Sequence, residues 1–394
     1  MDPEHKIGSV LEVEIERIVP RGFGIGFAEG LTVFVALAVK GDHVRVRIEQ
    51  LKGKTAFAEI VEVVEPGKDR ITPPCKYFGE CGGCDFQQMS YAEQFASKIE
   101  IIRDCLHRIA KVEFDEEIRV ITSPSEFGYR SRAQWHLNTV SREIGYYRRN
   151  SRNLVAIEEC PILAPELNAE LKRLRSEYPW EKVRAEKGYI DAARGDKETV
   201  SLNSPGVLEP REIEFSVLGE TFTYSAGVFF QGNQMLVPAL LDAALGRSTG
   251  KTALDLYSGV GLFSLPMGRV FEKVIAVEEN PVSVEFAVRN AAANGHGNIV
   301  FRTESVRSFL RNNEVSGVDL VLLDPPRAGT EKDTIENIIR IGAPQISYVA
   351  CEPSVLARDL KRFDESGYKI ASITAIDLFP QTHHIETVAR LSRR

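Results

Sequence analysis

Cys351 follows the apolar run Ser347–Ala350 and heads the triplet Cys351-Glu352-Pro353. Asp324 follows another such run, Val318–Leu323, and opens Asp324-Pro325-Pro326-Arg327. A third run, Thr252–Leu256, leads through Asp255 into Leu256-Tyr257-Ser258-Gly259-Val260-Gly261-Leu262-Phe263, and a fourth, Lys273–Val277, ends in Glu278. Glycines after a strand let the backbone approach a ligand closely. An acid at the end of the next strand can hold both hydroxyls of a ribose. A dinucleotide site usually carries a third glycine, at 264, where Ser264 stands. S-adenosylmethionine therefore suits Asp255, Gly259, Gly261 and Glu278 better than NAD. The plainer alternative is a tight turn with no ligand.

The elements that must position these residues can be read from periodicity. From 235 onward helical stretches alternate with the runs above and with Ile299–Arg302, which predicts a doubly wound parallel sheet of α/β type. Two more runs, Ile370–Leu378 and Ile385–Leu391, are joined only by Phe379–His384. So short a connection forces them antiparallel. The predicted catalytic domain is a Rossmann-like methyltransferase sheet closed by an antiparallel hairpin. In it Gly259, Glu278, Asp324 and Cys351 share the carboxyl edge. The last strand begins at that same edge, which brings Glu386 near Cys351.

A cysteine beside a cofactor and a carboxylate suits methylation of carbon 5 of uracil. That carbon is a poor nucleophile until a thiolate adds at carbon 6 and makes the ring an enolate. Carbon 5 then attacks the methyl sulfonium, a base removes its proton, and elimination frees the thiol. Cys351 is the expected nucleophile and Glu386 the expected base. A free thiol with a pKa of roughly 8.5 is mostly protonated at neutral pH, so the site is expected to favour thiolate. An isolated cysteine is more often a core residue, but this position reverses that preference. For Glu386 the ordinary reading is a strand-end carboxylate. Arg327 stands where enzymes acting on exocyclic amines place an aromatic, which disfavours amine methylation.

Four further cysteines are spaced as Cys75-x5-Cys81-Gly82-Gly83-Cys84 with Cys160-Pro161 far downstream. Structural zinc sites usually pair two short-spaced doublets. Three clustered cysteines and a remote Cys-Pro suit an iron–sulfur cluster better, with zinc still open. Cys105 lies within a helical pattern from 91 to 110 and reads as core. Residues 1–64 alternate apolar and polar positions between glycines, the pattern of a small antiparallel barrel. Glu65–Asp69 reads as a linker, 65–224 as a central α+β domain carrying the cysteines, and 225–394 as the catalytic domain, onto which helix 91–110 can pack.

These motifs, together with Phe229-Phe230-Gln231-Gly232-Asn233 and His384-Ile385-Glu386-Thr387-Val388, closely resemble the RumA/TrmA family of RNA uracil-5 methyltransferases, most of all the rRNA-directed RumA (RlmD) type. The resemblance covers nearly the whole chain. It implies that Gln231, Tyr257, Glu278 and Asp324 contact S-adenosylmethionine, and that Cys351 and Glu386 carry the catalysis. It also implies that Cys75, Cys81, Cys84 and Cys160 hold a 4Fe-4S cluster, and that residues 1–64 are a TRAM domain of oligonucleotide-binding type. The family often has Asn where Glu352 stands. Position 262, often Asn in rRNA-directed relatives, is Leu here and is not counted as a ligand.

Composition sets the outer bounds. The 394 residues suit two or three domains, with 43% hydrophobic and 27% charged residues, as in ordinary globular chains. No apolar run spans a bilayer, and Met1–Lys6 lacks the basic-then-apolar pattern of a signal peptide, so a cytoplasmic monomer is expected. A net charge of −7 weighs against an RNA partner. Locally, Arg130, Arg132, Arg142, Arg148, Arg149 and Arg152 gather around Tyr146 and Tyr147, which suits phosphates and unstacked bases. A solvated charged hairpin reads this stretch equally well. The expected partner is RNA: 23S rRNA because of the TRAM-like barrel and the cysteine cluster, with tRNA as alternative. A radical S-adenosylmethionine protein would need x3 and x2 cysteine spacing, and a DNA cytosine methyltransferase a Pro-Cys pair. A catalytically silent RNA-binding or assembly protein is the alternative from another class, and intact Cys351 and Glu386 speak against it.

Overall fold

The computed structural model describes residues 5–183, 187–313 and 315–394. Residues 1–4, on which much of the leaderless reading rests, lie outside that set. Two compact units result: Met1–Asp104 with Tyr146–Val155 and Phe379–His384, and Cys105–Gly145 with Ala156–Leu378 and Ile385–Arg394. Among the described residues no helix is long and apolar enough to cross a membrane.

In the first unit, β1 (Val10–Glu14), β2 (Arg17–Val19), β3 (Phe23–Ala28), β4 (Leu31–Val35), β5 (His43–Lys52) and β6 (Thr55–Glu65) form one sheet in the order β1-β5-β6-β4-β3-β2. The alternation seen in the sequence puts Val13, Val33, Val35, Val44, Val46 and Ile48 in its core. Two features depart from an all-antiparallel barrel. β4 and β6 pair in parallel. Among the described residues no ladder joins β1 to β2, because one N-terminal run breaks after Glu14 and its halves pair with different neighbours, β5 and β3. β3 crosses this run closely: a Cβ on Gly26 would lie 2.2 Å from the Glu14 carbonyl oxygen. The expected linker is pinned. Buried Asp42 accepts the Val39 N–H at 2.6 Å and the Gly67 N–H at 2.9 Å, and pairs with Arg70. Beyond it α1 (Tyr91–Cys105) ends in a π-helical turn at residues 106–110.

The second unit opens with β7 (Arg119–Ile121) and β8 (Arg132–Asn138). β9 (Glu143–Tyr147) and β10 (Leu154–Ala156) are each divided between the two units, and α2 (Pro165–Glu177), β11 (Lys187–Arg194) and β12 (Val200–Asn203) follow in the second. β8 pairs antiparallel with β9 and β11, and β11 with β12. A hairpin of β13 (Ile213–Val217) and β14 (Glu220–Tyr224) precedes α3 (Val237–Leu245). The remaining elements alternate: β15 (Gly250–Leu256), α4 (Ser264–Gly268), β16 (Phe271–Glu278), α5 (Pro281–Ala293), β17 (Ile299–Thr303), α6 (Val306–Asn312) and β18 (Leu320–Leu323). They close with α7 (Lys332–Ile341), β19 (Gln345–Ala350), α8 (Pro353–Glu365), β20 (Tyr368–Ile376) and β21 (Glu386–Arg393).

The eight-stranded sheet runs β17-β16-β15-β18-β19-β21-β20-β7. β15 to β19 are parallel neighbours, and β18 is apolar and buried throughout, as a strand covered on both faces should be. β21 is antiparallel to both β19 and β20, the expected closing hairpin. β7 adds an eighth strand, parallel to β20, that the sequence pattern did not reveal. Its three residues are mostly exposed and carry no alternation. The 106–110 turn packs on α8, with Leu106 and Ala110 buried, and Cys105 beside it is core as expected.

Candidate active site

The glycine turn after β15 is held from three directions. Ser258 donates its N–H to Val277 O at 3.0 Å, and Asn290 of α5 donates to Val260 O at 3.1 Å. Glu278 accepts the Gly259 N–H at 3.0 Å with one oxygen and the Asn280 N–H at 2.7 Å with the other. Tyr257, Gly259 and Gly261 all take positive φ. A Cβ on Gly259 would meet nothing within 4 Å, so the backbone there faces open space. A Cβ on Gly261 would instead strike Leu265 at 2.7 Å, so that glycine serves packing.

Asp255 lies behind the turn rather than in it. It is fully buried, and one carboxyl oxygen takes the Ser264 hydroxyl at 2.5 Å. Burial raises its pKa to about 7, against the opposing Ser264 bond. The residue that replaces a third glycine thus braces the turn from beneath. Asp324, half-buried at the end of β18, is raised to about 7 by burial and by the charge of Asp255. Burial also raises the Tyr257 phenol.

Cys351 and Glu386 are brought together by strand register. Ala350 at the end of β19 faces Thr387 of β21, so the next residues along the two strands are Cys351 and Glu386. Glu386 is 4% exposed. Its carboxyl is held well above the ordinary range, first by burial and then by Asp324, with Arg327 opposing. The Cys351 thiol is pushed up to about 12, first by burial and then by Glu386, again against Arg327. The expected thiolate-favouring site is therefore corrected: in this geometry the thiol is protonated, because burial and three carboxylates (Glu386, Asp324, Glu352) outweigh one guanidinium.

The Phe229–Asn233 segment is anchored by Phe230, stacked on Tyr224 with ring centroids 4.4 Å apart. Gln231 is buried beyond it, and its carbonyl accepts the Ser131 hydroxyl at 3.3 Å. On the other side Phe229 is 66% exposed, with the Arg132 guanidinium 6.0 Å from its ring centroid. Arg132 donates to Ala226 O, while its Nη1 is buried without a hydrogen-bond partner. This guanidinium–phenyl pair was not legible in the sequence, where the two residues lie 97 positions apart.

The basic stretch is divided between the units. Arg148 and Arg149 belong to the first, where Arg148 pairs with Glu80 and Arg149 donates to Cys84 O at 3.0 Å. Cys75, Cys81 and Cys84 share that unit, all half-buried, and Gly83 donates its N–H to Cys81 Sγ at 3.4 Å. Cys160, in the second unit, donates its N–H to Asn168.

A Rossmann-like sheet with this turn and a cysteine at its carboxyl edge defines a methyltransferase that uses S-adenosylmethionine. Residues 192–394 match the family described as tRNA (Uracil-5-)-methyltransferase, and residues 4–61 match the TRAM domain. An uncharacterized RNA methyltransferase of Thermosynechococcus vestitus is 30% identical, covering 98% of each chain. The 23S rRNA (uracil(1939)-C(5))-methyltransferase RlmD of Pseudomonas entomophila is 29% identical, over 97% of this chain and 94% of its own. A solved tRNA (uracil-54, C5)-methyltransferase of Pyrococcus abyssi, in complex with S-adenosyl-L-homocysteine, superposes with a TM-score of 0.75 at 25% identity, covering 96% of this chain and all of its own. The chain belongs to the RNA uracil-C5 methyltransferase family, enzymes dependent on S-adenosylmethionine.

Proposed function

We propose that this enzyme methylates carbon 5 of a uridine in 23S rRNA through a covalent bond from Cys351 to carbon 6. The observation that carries the reading is the Ala350–Thr387 register, which sets the thiol and the Glu386 carboxyl side by side next to Asp324. Glu278, Gly259, Tyr257, Gln231 and Asp324 would hold S-adenosylmethionine, which supplies an electrophilic methyl group when bound. The open space beside Gly259 and the carboxylate of Glu278 fit that ligand. Cys351 Sγ gives up its proton to water and bonds carbon 6, carbon 5 takes the methyl, and Glu386 removes the carbon 5 proton. The sulfur–carbon bond then breaks and returns the electron pair to sulfur. Arg327 is the cation that favours the thiolate before addition.

The preference for 23S rRNA rests on full-length likeness to RlmD-type relatives. A tRNA substrate is the second reading, favoured by the Pyrococcus abyssi structure. Cys75, Cys81, Cys84 and Cys160 are proposed as ligands of a 4Fe-4S cluster. Three clustered cysteines with a remote Cys-Pro suit such a cluster better than a single zinc, which gathers four thiolates at about 2.3 Å. A cluster gives each cysteine its own iron and so spreads them. Visible absorbance of anaerobically purified protein, lost in Cys81→Ser, tests the cluster. Labelled methyl transfer to unmodified 23S rRNA and to bulk tRNA, followed by nucleoside analysis, tests the reaction. Label in 5-methyluridine that vanishes in Cys351→Ala supports the mechanism, and the RNA that carries it names the substrate. Activity surviving that substitution sinks the covalent step.

A further inference from the structure

The loop that leads into Glu386 is held by residues almost three hundred positions earlier. Lys98 of α1, fully buried, donates Nζ to Phe379 O at 3.1 Å. Gln94, one helical turn earlier, forms a reciprocal pair with Gln381. Its Nε2 donates to Gln381 Oε1 at 3.0 Å, and its Oε1 accepts the Gln381 N–H at 2.9 Å. Gln381 O takes the N–H groups of both Asp85 and Phe86, each at 3.1 Å. Asp85 binds His383 twice, at its N–H (2.8 Å) and at Nδ1 (2.5 Å).

A hairpin loop ordinarily satisfies its backbone with its own turn bonds and with water. Here the loop keeps turn bonds of its own, from the Thr382 N–H and hydroxyl to Phe379 O. Buried side chains from outside the hairpin are added to them, and a buried lysine and a buried glutamine are costly groups to place. Gln381 itself sits at φ +69, a conformation unfavourable for a residue with a side chain, and both its main-chain polar groups are engaged by outside residues. Such strain persists where surroundings over-determine it, and it clusters at functional sites. Two residues after His384 the chain reaches Glu386.

We propose that Gln94 and Lys98, with Asp85, are positioning residues for the proton-abstraction step, fixing residues 379–384 so that Glu386 meets the carbon 5 proton. The inference rests on the reading of Glu386 as base. A carboxylate displaced by about 1 Å loses up to roughly a hundredfold in rate. Earlier steps, which use Cys351 and the cofactor turn, proceed unchanged. The methylated covalent adduct then accumulates.

Full-length enzyme carrying Gln94→Leu or Lys98→Met, with Lys98→Arg as the conservative partner, is assayed for kcat, KM for RNA, and RNA–protein adduct stable to detergent. The expected result is a kcat lowered about tenfold or more, KM within about twofold, a raised adduct fraction, and recovery in Lys98→Arg. A merely structural role lowers activity without adduct, and that outcome overturns the proposal, as does unchanged kcat. Should Gln94→Leu fail to fold, Gln381→Ala removes the other half of the pair while leaving α1 intact and is read the same way. Glu386→Gln is the reference. If it traps no adduct, the assignment of the base fails. If it traps adduct and the clamp variants do not, only the clamp fails.

Discussion

Cys351 and Glu386 each stand one residue beyond the Ala350–Thr387 pair, on strands 19 and 21 of the chain, which run in opposite directions. Had the last strand been parallel, its first residue would lie at the far edge of the sheet. The reversal is what lets a residue entering a strand meet one leaving its neighbour.

The relationship predicts how the thiol titrates. With Cys351 pushed up to about 12, thiolate is a trace species at neutral pH. Its alkylation by iodoacetamide, followed at the Cys351 peptide by mass spectrometry, should climb about tenfold per pH unit from 7 to 10 without a plateau. At fixed pH, Glu386→Gln should react faster, since the largest charge raising the pKa is gone, and Arg327→Ala slower. A plateau near pH 8.5 would show that burial does not govern this thiol.

Asp255 and Asp324 predict a pH-dependent stability of unusual sign. Each stays protonated in the folded chain up to about pH 7, whereas an unfolded aspartate ionises near roughly 3.9. Between those values unfolding releases a proton, so stability falls as pH rises from about 4 to about 7 and then levels off. One such group contributes a slope of about 1.4 kcal/mol per pH unit in that window. Urea denaturation of Asp255→Asn should show a slope shallower than wild type by about that amount. Parallel curves would mean that Asp255 is ionised in the folded protein.

Why the protonation of these carboxyl groups escaped a reading of the sequence is itself physical. Spacing placed Asp255, Glu278, Asp324 and Cys351 at one edge, because parallel strands with short crossovers leave little choice. It could not tell which groups face a ligand and which face inward. Asp255 reads like Glu278 in the chain, yet one is sealed behind Ser264 and the other holds Gly259. Protonation of Cys351 depends on carboxylates converging from three separate segments, which no local pattern records. The first sheet was legible as alternating strands because one face is buried. Its parallel β4–β6 pair was not, since alternation is blind to strand direction.

Glu278 should matter more for the cofactor than for the fold. Its two oxygens accept one N–H on each side of the turn, and a half-exposed carboxylate remains beside open space. A hydrogen bond to a charged group contributes about 1.5–3 kcal/mol. Calorimetric affinity for S-adenosylhomocysteine should therefore fall about ten- to a hundredfold in Glu278→Ala. Unchanged affinity would remove Glu278 from the ligand set.

Gly26 tests the close crossing in the first unit. An added methyl group would sit 2.2 Å from the Glu14 carbonyl oxygen and 2.5 Å from Val13 Cγ1, neither of which is the free end of a flexible side chain. Overpacking of this kind costs about 1–3 kcal/mol. Gly26→Ala should lower the denaturation midpoint accordingly, whereas Gly30→Ala, at a turn with nothing within 4 Å, bears only the strain of its φ of +80. Equal destabilisation by the two would assign the effect to backbone conformation alone.

Phe229 should bind RNA through its exposed face. Phe230 behind it is locked against Tyr224, so the ring cannot turn inward, and the Arg132 guanidinium lies over it at 6.0 Å. A base stacked on an aromatic side chain contributes about 1–3 kcal/mol. Phe229→Ala should raise the KM for RNA roughly five- to a hundredfold with affinity for S-adenosylhomocysteine intact, and Phe229→Tyr should keep most of the binding. Because Arg132 has a buried nitrogen without a partner, Arg132→Lys cannot replace it: lysine lacks the planar fork that reaches Ala226 O and the ring together. If Phe229→Ala and wild type bind RNA equally, the pair packs only against itself and the base must be gripped elsewhere.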